Sequence, residues 1–304
     1  MKTSFSIIIP TYNRPNEVYR AVKSIIAQDY QNVEVIVIDD NSVERIDLVL
    51  EEFIKKSEVI YLRNEINQGV SKNRNLGIAK VQNEYVIFLD DDDYHGDDSL
   101  DKLNQIISEN NEPQLVYFQT RGKFSTNENS STSVLKREKF DQEIFTTSKY
   151  NYVWKFAFYK KVIEGIKFDE TINIGEDIKF TFDVTRKVDD IYLTQLELIY
   201  QTQTPNSLSR GVVGEKQIKL VKDDLANWLS IFKRTNLSLS FLYKRLRKQW
   251  LYYIEDLKRN EIAAIKELFI NCINENTLDD KKIFKKGDYI VSKVKKIIKR
   301  KILK

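Results

Sequence analysis

Four consecutive aspartates, Asp90 to Asp93, follow directly on an apolar run in "YVIFLDDDDYHGDDSL". Two carboxylates about 4 Å apart repel by roughly 1 kcal/mol in bulk water and roughly 4 kcal/mol near a protein surface. On an extended strand side chains two apart share a face, so Asp90 and Asp92 are expected to point the same way. Something positive belongs there. An aspartate pair suits Mg²⁺ or Mn²⁺, held through one or two oxygens while phosphate and water fill the remaining positions. Two further polar groups close apolar runs. Pro10, Thr11, Tyr12, Asn13 and Arg14 follow "FSIII", and Asp39, Asp40, Asn41 and Ser42 close "VEVIVID". A ring can stack on a base, and a carboxylate can accept a base N–H or a ribose hydroxyl. The combination describes a nucleotide-shaped pocket with a metal.

These residues are useful only if the chain brings them to one edge. "FSIIIP", "VEVIVID", "VIYLR", "YVIFLD" and "QLVYFQ" are short, β-branched and nearly continuous, as strands buried on both faces are. Between them lie helical patterns, the clearest being Val18, Ala21, Val22, Ile25 and Ile26 on one face. The βαβαβ rhythm predicts an α/β fold with a mostly parallel sheet and flanking helices. In open sheets of that kind ligands sit at the carboxyl ends of the strands, where the polar groups fall. No Gly-x-x-x-x-Gly-Lys-Ser/Thr loop and no Gly-x-Gly-x-x-Gly follows the first strand, so neither a P-loop nor a usual dinucleotide site is indicated. Residues 121–135 read as a loop. An aromatic stretch "YNYVWKFAFYKKVI", a helix near "GEDIKFTFDVTRKV" and a strand "DIYLTQLELIYQTQ" come next, and the chain reads as helical after Gly214.

Taken in order, "SIIIPTYNRPNEVYRAVKSIIAQDYQNVEVIVIDDNS", "NQGVSKNRNLGI", "YVIFLDDDD" and "GEDIKF" resemble family 2 of the glycosyltransferases, with the GT-A fold. The resemblance covers about the first 210 residues and not the rest. It implies a catalytic domain over 1–213, with a nucleotide half (1–120) and an acceptor half (121–213), followed by a helical region over 214–304. It implies that Pro10, Thr11, Tyr12 and Arg14 line the base pocket and that Asp39 reads the base, usually uracil. Arg74 matches the family arginine facing the nucleotide sugar. Asp90-x-Asp92 matches the Asp-x-Asp motif, with Asp92 the metal ligand and Asp90 on ribose or metal water. Asp91 fills the variable slot and is grouped with the nucleotide-binding residues. Asp93 is placed near the donor sugar. Glu176-Asp177 resembles the family's acidic pair, with Asp177 the base, and Trp154 and Lys155 resemble an acceptor-side stretch. Many relatives carry a histidine near the end of the catalytic region; here "NSLSRG" offers Arg210, a fixed cation for the diphosphate.

The implied reaction is inverting transfer of a sugar from a nucleoside diphosphate donor, UDP-sugar first, to a glycan or lipid-linked acceptor in bacterial polysaccharide synthesis. Mn²⁺ or Mg²⁺ would offset charge on the leaving group, and one carboxylate would take the acceptor's proton. Plainer readings stand beside these. Glu176-Asp177 in isolation is an ordinary acidic helix start, and Tyr12 alone could be packing. Asp97, Asp98 and Ser99 read as a cap and first turn, and His95 as a loop residue. A calcium loop counted from Asp91 fails, with Lys102 where glutamate belongs. A non-catalytic nucleotide-sugar binding module remains the second class, and a receiver domain the third.

Composition narrows the rest. The chain is 41% hydrophobic and 31% charged, with one cysteine, Cys272, and one histidine. That excludes an intrachain disulfide, argues against a zinc site or a Ser-His-Asp triad, and fits a reducing cytoplasm. No signal peptide or membrane span is expected. Residues 281–304 hold eleven Lys/Arg and one acid. Ile290, Val294, Ile297, Ile298 and Ile302 recur there at helix spacing, so this tail is expected to lie on an anionic membrane, at the inner face of the cell membrane. No nucleic-acid motif is present. A homodimer is a further expectation.

Overall fold

The computed structural model describes residues 2–121, 131–172, 174–202, 215–254, 266 and 269–271, without the side chains of 121, 215–218, 253 and 254. Arg210, Cys272 and the basic tail 281–304 therefore lie outside the described residues.

Nine strands among the described residues form one sheet: β1 (Phe5–Thr11), β2 (Val33–Asp39), β3 (Val59–Arg63), β4 (Tyr85–Phe88), β5 (Tyr94–His95), β6 (Leu115–Arg121), β7 (Thr132–Lys136), β8 (Phe156–Tyr159) and β9 (Asp190–Tyr200). The helices are α1 (Pro15–Ile26), α2 (Ile46–Val49), α3 (Glu51–Lys55), α4 (Val70–Ile78), α5 (Ser99–Glu109), α6 (Arg137–Thr146), α7 (Lys160–Ile163), α8 (Glu176–Thr185), α9 (Glu215–Lys233) and α10 (Leu239–Ile254). The strand order is β3-β2-β1-β4-β8-β6-β9-β5, with β7 paired to β9.

The parallel character belongs to the first half. β1 pairs in parallel with β2 and β4, and β2 with β3. Beyond β4 the sheet is mixed: β8 runs antiparallel to both β4 and β6, while β6 and β9 are parallel. The continuous apolar runs have the expected cause. All seven residues of β1 are buried, Pro10 among them, and α1 covers the sheet with Val18, Ala21, Val22 and Ile25. Gly77 lets α4 approach β1: a Cβ there would fall 2.4 Å from Ile8 Cγ2.

Four expectations change in detail. β4 ends at Phe88, and Asp93 N–H donates to the Asp90 carbonyl at 3.0 Å, so the aspartates occupy a turn rather than a strand. The loop expected over 121–135 contains β7, whose carbonyls and amides are met by the antiparallel edge of β9. Asp98 precedes α5 with φ +57° and no side-chain cap; the Gln28 side chain accepts Leu100 N–H at 3.0 Å instead. His95 is not in an exposed loop but buried in β5.

Two compact units are distinguishable. The first comprises Met1–Lys139, Tyr150–Glu170 and Glu176–Asn206 and holds the sheet; the second comprises Phe140–Lys149, Thr171–Gly175 and Ser207–Lys304. Within the second, Phe145 packs on Trp228 and Phe232, and the Arg245 guanidinium lies 3.6 Å over the Trp228 ring. Trp228 and Trp250 are buried, as core residues should be.

Candidate active site

Every residue of the candidate site described below lies in the first unit. The turn after β4 places Asp90, Asp92 and Asp93 so that one carboxylate oxygen from each falls within 4.8 Å of the others, the one such acidic group among the described residues. Side-chain alternation does not gather them; the tight turn does. Burial, then the neighbouring Asp90 and Asp92 charges, push the Asp93 carboxyl up to about 7, against a Thr202 N–H that donates to it at 2.9 Å. Crowded, partly desolvated carboxylates with no imidazole or thiolate in the group fit a hard oxygen-seeking cation such as Mg²⁺ or Mn²⁺ better than zinc. Arg20 and Thr202 both donate to the Asp92 carbonyl, which holds the turn from behind.

Asp91, the variable slot, points inward. It accepts from Thr11 Oγ1 at 2.8 Å and from Arg14 Nη1 at 2.8 Å, and is 6% exposed. Burial pushes its carboxyl up to about 6, with Arg14 and Thr11 pulling the other way. Arg14 also reaches Asp92 Oδ2 at 3.2 Å. Thr11 and Arg14 thus tie the end of β1 to the acidic turn. Tyr12 is 45% exposed, free of the core, as a stacking ring would be.

The end of β2 carries Asp39, fully buried. Its Oδ1 accepts Ser42 N–H at 2.9 Å; its Oδ2 accepts Tyr61 Oη at 2.6 Å and Arg63 Nη1 at 2.7 Å. Burial first, then Asp39, raise the Tyr61 phenol well above its ordinary range. Tyr61 and Arg63 were missed in the sequence. The strand-end rule would have found Arg63, which closes β3 beside Asp39 in the parallel register. Asp40 takes a separate set of partners. It accepts Gln68 N–H and Gly69 N–H at 2.8 and 2.9 Å, and so anchors the loop leading into α4.

Arg74, on α4, joins the two acidic groups. Its Nη2 donates to Asp90 Oδ1 at 3.1 Å, while Nη1 donates to Asp177 Oδ1 at 2.6 Å and Glu176 Oε1 at 3.3 Å. Burial works against this cation, but Asp177, Asp90 and Glu176 more than offset it, and its pKa is raised. Phe168 lies beneath, its ring 5.2 Å from the guanidinium carbon, and is stacked on Phe180 at 4.1 Å. Glu176 and Asp177 do form the first turn of α8, so the acidic helix start and the site coincide in the same residues. Asp177 Oδ2 also accepts Val153 N–H at 3.2 Å. Burial raises the Asp177 carboxyl, Arg74 opposes this, and Glu176 adds to it. Each carboxylate oxygen has two lone pairs, so Asp177 retains capacity to accept a proton.

Val153 opens a 3₁₀ turn through Lys155. Trp154, expected on the acceptor side, is 3% exposed, and the ring presented to solvent is its neighbour Tyr152 at 45%. Lys155 Nζ lies 5.3 Å from the Trp154 ring centroid and 5.7 Å from that of Tyr152.

The family model for glycosyl transferase family 2 matches residues 6–166. Among curated proteins, the uncharacterized glycosyltransferase EpsJ of Bacillus subtilis is 26% identical over 215 residues, covering 67% of this chain and 62% of that protein. The GalNAc(5)-diNAcBac-PP-undecaprenol beta-1,3-glucosyltransferase of Campylobacter jejuni is 31% identical over 169 residues, 54% of each. The chain thus spans less than two thirds of the length of either relative. Among solved structures, residues 1–349 of S. aureus TarS in complex with UDP-GlcNAc align with a TM-score of 0.70 at 19% identity, covering 97% of this chain and 88% of that one. At that identity the likeness is one of fold.

Proposed function

Because the chain belongs to family 2 of the glycosyltransferases and has the GT-A fold, we propose that it moves a sugar from a UDP-sugar to a glycan or lipid-linked acceptor with inversion, in bacterial cell-envelope polysaccharide synthesis. The observation that carries this reading is the double engagement of Arg74. One guanidinium meets Asp90 of the acidic turn and the Glu176-Asp177 pair. Donor-side and base-side carboxylates are therefore held in one connected site.

Asp92 and Asp90, with Asp93 alongside, would hold the divalent cation, and when bound it offsets charge growing on the diphosphate. Asp39 is the base-reading carboxylate on sequence grounds; it is fully buried with Ser42, Tyr61 and Arg63 as donors, so a base N–H would have to displace one of them. Tyr12 stacks on the base, and Thr11, Arg14 and Asp91 keep that wall in place beside Pro10. Asp177 takes the proton of the attacking acceptor hydroxyl, and a single base with direct displacement inverts the anomeric carbon. Lys155 and the exposed Tyr152 ring face the acceptor, while Trp154, the aromatic residue expected there, is buried. The reading divides the chain at 213/214, adds Arg210 as a diphosphate cation and seats residues 281–304 on anionic lipid, all three on sequence grounds. No described helix is long and apolar enough to cross a membrane. A UDP-GlcNAc complex of a fold neighbour and a polyprenol-linked acceptor in a relative's name support this substrate class.

The test is donor-dependent release of UDP from a panel of nucleotide sugars with Mn²⁺, Mg²⁺ or EDTA. Metal-dependent release from one donor is the expected result. Saturable binding of a donor without turnover in the presence of candidate acceptors would favour the binding module instead.

A further inference from the structure

The peptide that joins Asp92 to Asp93 is held by donors from two distant parts of the first unit. Arg20 Nη2, on α1, and Thr202 Oγ1, just past the end of β9, both donate to the Asp92 carbonyl. The same Arg20 nitrogen carries two hydrogens, and the other goes to Thr202 Oγ1 at 3.3 Å. The directions agree. The hydroxyl gives its one proton to the carbonyl and accepts from the guanidinium, and the carbonyl oxygen has a lone pair for each donor.

This peptide governs the two carboxylates that flank it. A peptide unit is planar, so the direction of its carbonyl follows from ψ of Asp92 and φ of Asp93. The same two angles set how the Asp92 and Asp93 side chains stand relative to each other. A fixed carbonyl therefore fixes the angle between two members of the group whose oxygens lie within 4.8 Å. Thr202 N–H also holds the second member directly, 2.9 Å from Asp93 Oδ1. Asp91 pins the other side of the turn to Thr11 and Arg14. Arg20 is exposed but not loose. Its guanidinium carbon lies 5.4 Å from the Tyr94 ring centroid, and Tyr94 is stacked on Tyr200 at 5.1 Å.

We infer that Arg20 is a positioning residue for the cation site: through the Asp92 carbonyl and Thr202 it holds Asp92 and Asp93 at the mutual angle that a divalent cation requires, while offering no ligand atom itself. The inference rests on the cation reading of the acidic turn given above.

Charge and position act with opposite signs here. Arg20 is itself a cation near the Asp93 carboxylate. By charge alone, its removal would tighten the binding of a divalent cation. By position, its removal loosens the turn and weakens that binding.

The experiment is titration of the full chain with Mn²⁺, with and without UDP, read as loss of the free-ion signal in electron paramagnetic resonance. Arg20→Met is expected to weaken Mn²⁺ binding about tenfold or more, as loss of an outer-shell partner of a metal ligand does. Its melting curve should stay close to that of the parent, because the side chain is exposed. Arg20→Lys keeps a donor without the planar fork and should fall between the two. Thr202→Val removes the other donor to the carbonyl and should weaken binding in the same direction. Lys23→Met removes an equal charge from α1, but that ammonium lies over the Tyr19 ring, so binding should not weaken. Equal or tighter binding by Arg20→Met, or equal weakening by Lys23→Met, overturns the inference and leaves the cation site in place. If the parent protein binds no Mn²⁺ even with UDP, the cation reading fails and this inference with it.

Discussion

Arg74 Nη1 stands 2.6 Å from Asp177 Oδ1, and the guanidinium that makes this contact is 3% exposed at the level of the residue. A buried cation facing three carboxylates is stable only while all members are present. Arg74→Met leaves Asp177, Asp90 and Glu176 uncompensated and should cost about 3–5 kcal/mol. Urea unfolding reads this directly. Arg74→Lys should retain part of the stability and lose the two-sided fork; an unchanged midpoint in Arg74→Met would mean that the pairs do not form.

Asp92→Asn should reduce metal-supported UDP release by a hundredfold or more, equivalent to about 3 kcal/mol of barrier. Its side chain is outside the apolar core but pairs with Arg14, so the variant should stay folded with at most a small shift in melting temperature. Activity close to that of the parent protein would remove Asp92 from the metal site.

Asp177 links activity and stability to pH with opposite signs. Its carboxyl is raised by burial, so the base form appears only above the ordinary carboxylate range and the rate should rise with pH through that raised value. A carboxyl raised in the folded state binds its proton more tightly there than in the unfolded chain. Its contribution to stability is fully present below the unfolded pKa and is lost as pH rises through the folded one. Asp91 and Asp93, raised to about 6 and about 7, act in the same direction. Asp177→Asn should keep UDP binding, lower transfer by about 10²–10⁴-fold and flatten part of the stability slope. Calorimetry across pH 4 to 8 (roughly the span between ordinary and raised carboxyl values) measures the difference.

Tyr61→Phe removes one donor from fully buried Asp39. A hydrogen bond to a charged group is worth about 1.5–3 kcal/mol, and this one is made whether or not a ligand is bound, so the variant should lose about that much folding stability. Urea unfolding tests this, and an unchanged midpoint would mean that the bond does not form.

Gly77→Ala drives a methyl to within 2.4 Å of Ile8 Cγ2 in the buried β1. Overpacking of this kind should destabilise by about 1–3 kcal/mol, read as a lower urea midpoint with an unchanged slope. A stability equal to that of the parent would show that α4 can shift away from the sheet.

The sequence by itself determined β1 to β4, β6 and β9, the parallel first half of the sheet and the edge at which polar residues collect, but not the short strands β5, β7 and β8. Residues buried on both faces of a sheet must be apolar without interruption, and that requirement is visible locally in "FSIIIP" and "VEVIVID". It also marked the aspartates and the acidic start of α8, because clustered charge needs a partner wherever it folds. Tertiary structure alone decided which partner each charge took. Asp91 turned inward to Thr11 and Arg14, 80 and 77 residues away. Asp39 met Arg63 because the β2–β3 register aligns them. Arg74 spans 16 residues to Asp90 and 103 to Asp177. Burial follows from local composition, but pairing between distant side chains depends on register and crossover geometry, which arise only when the sheet assembles.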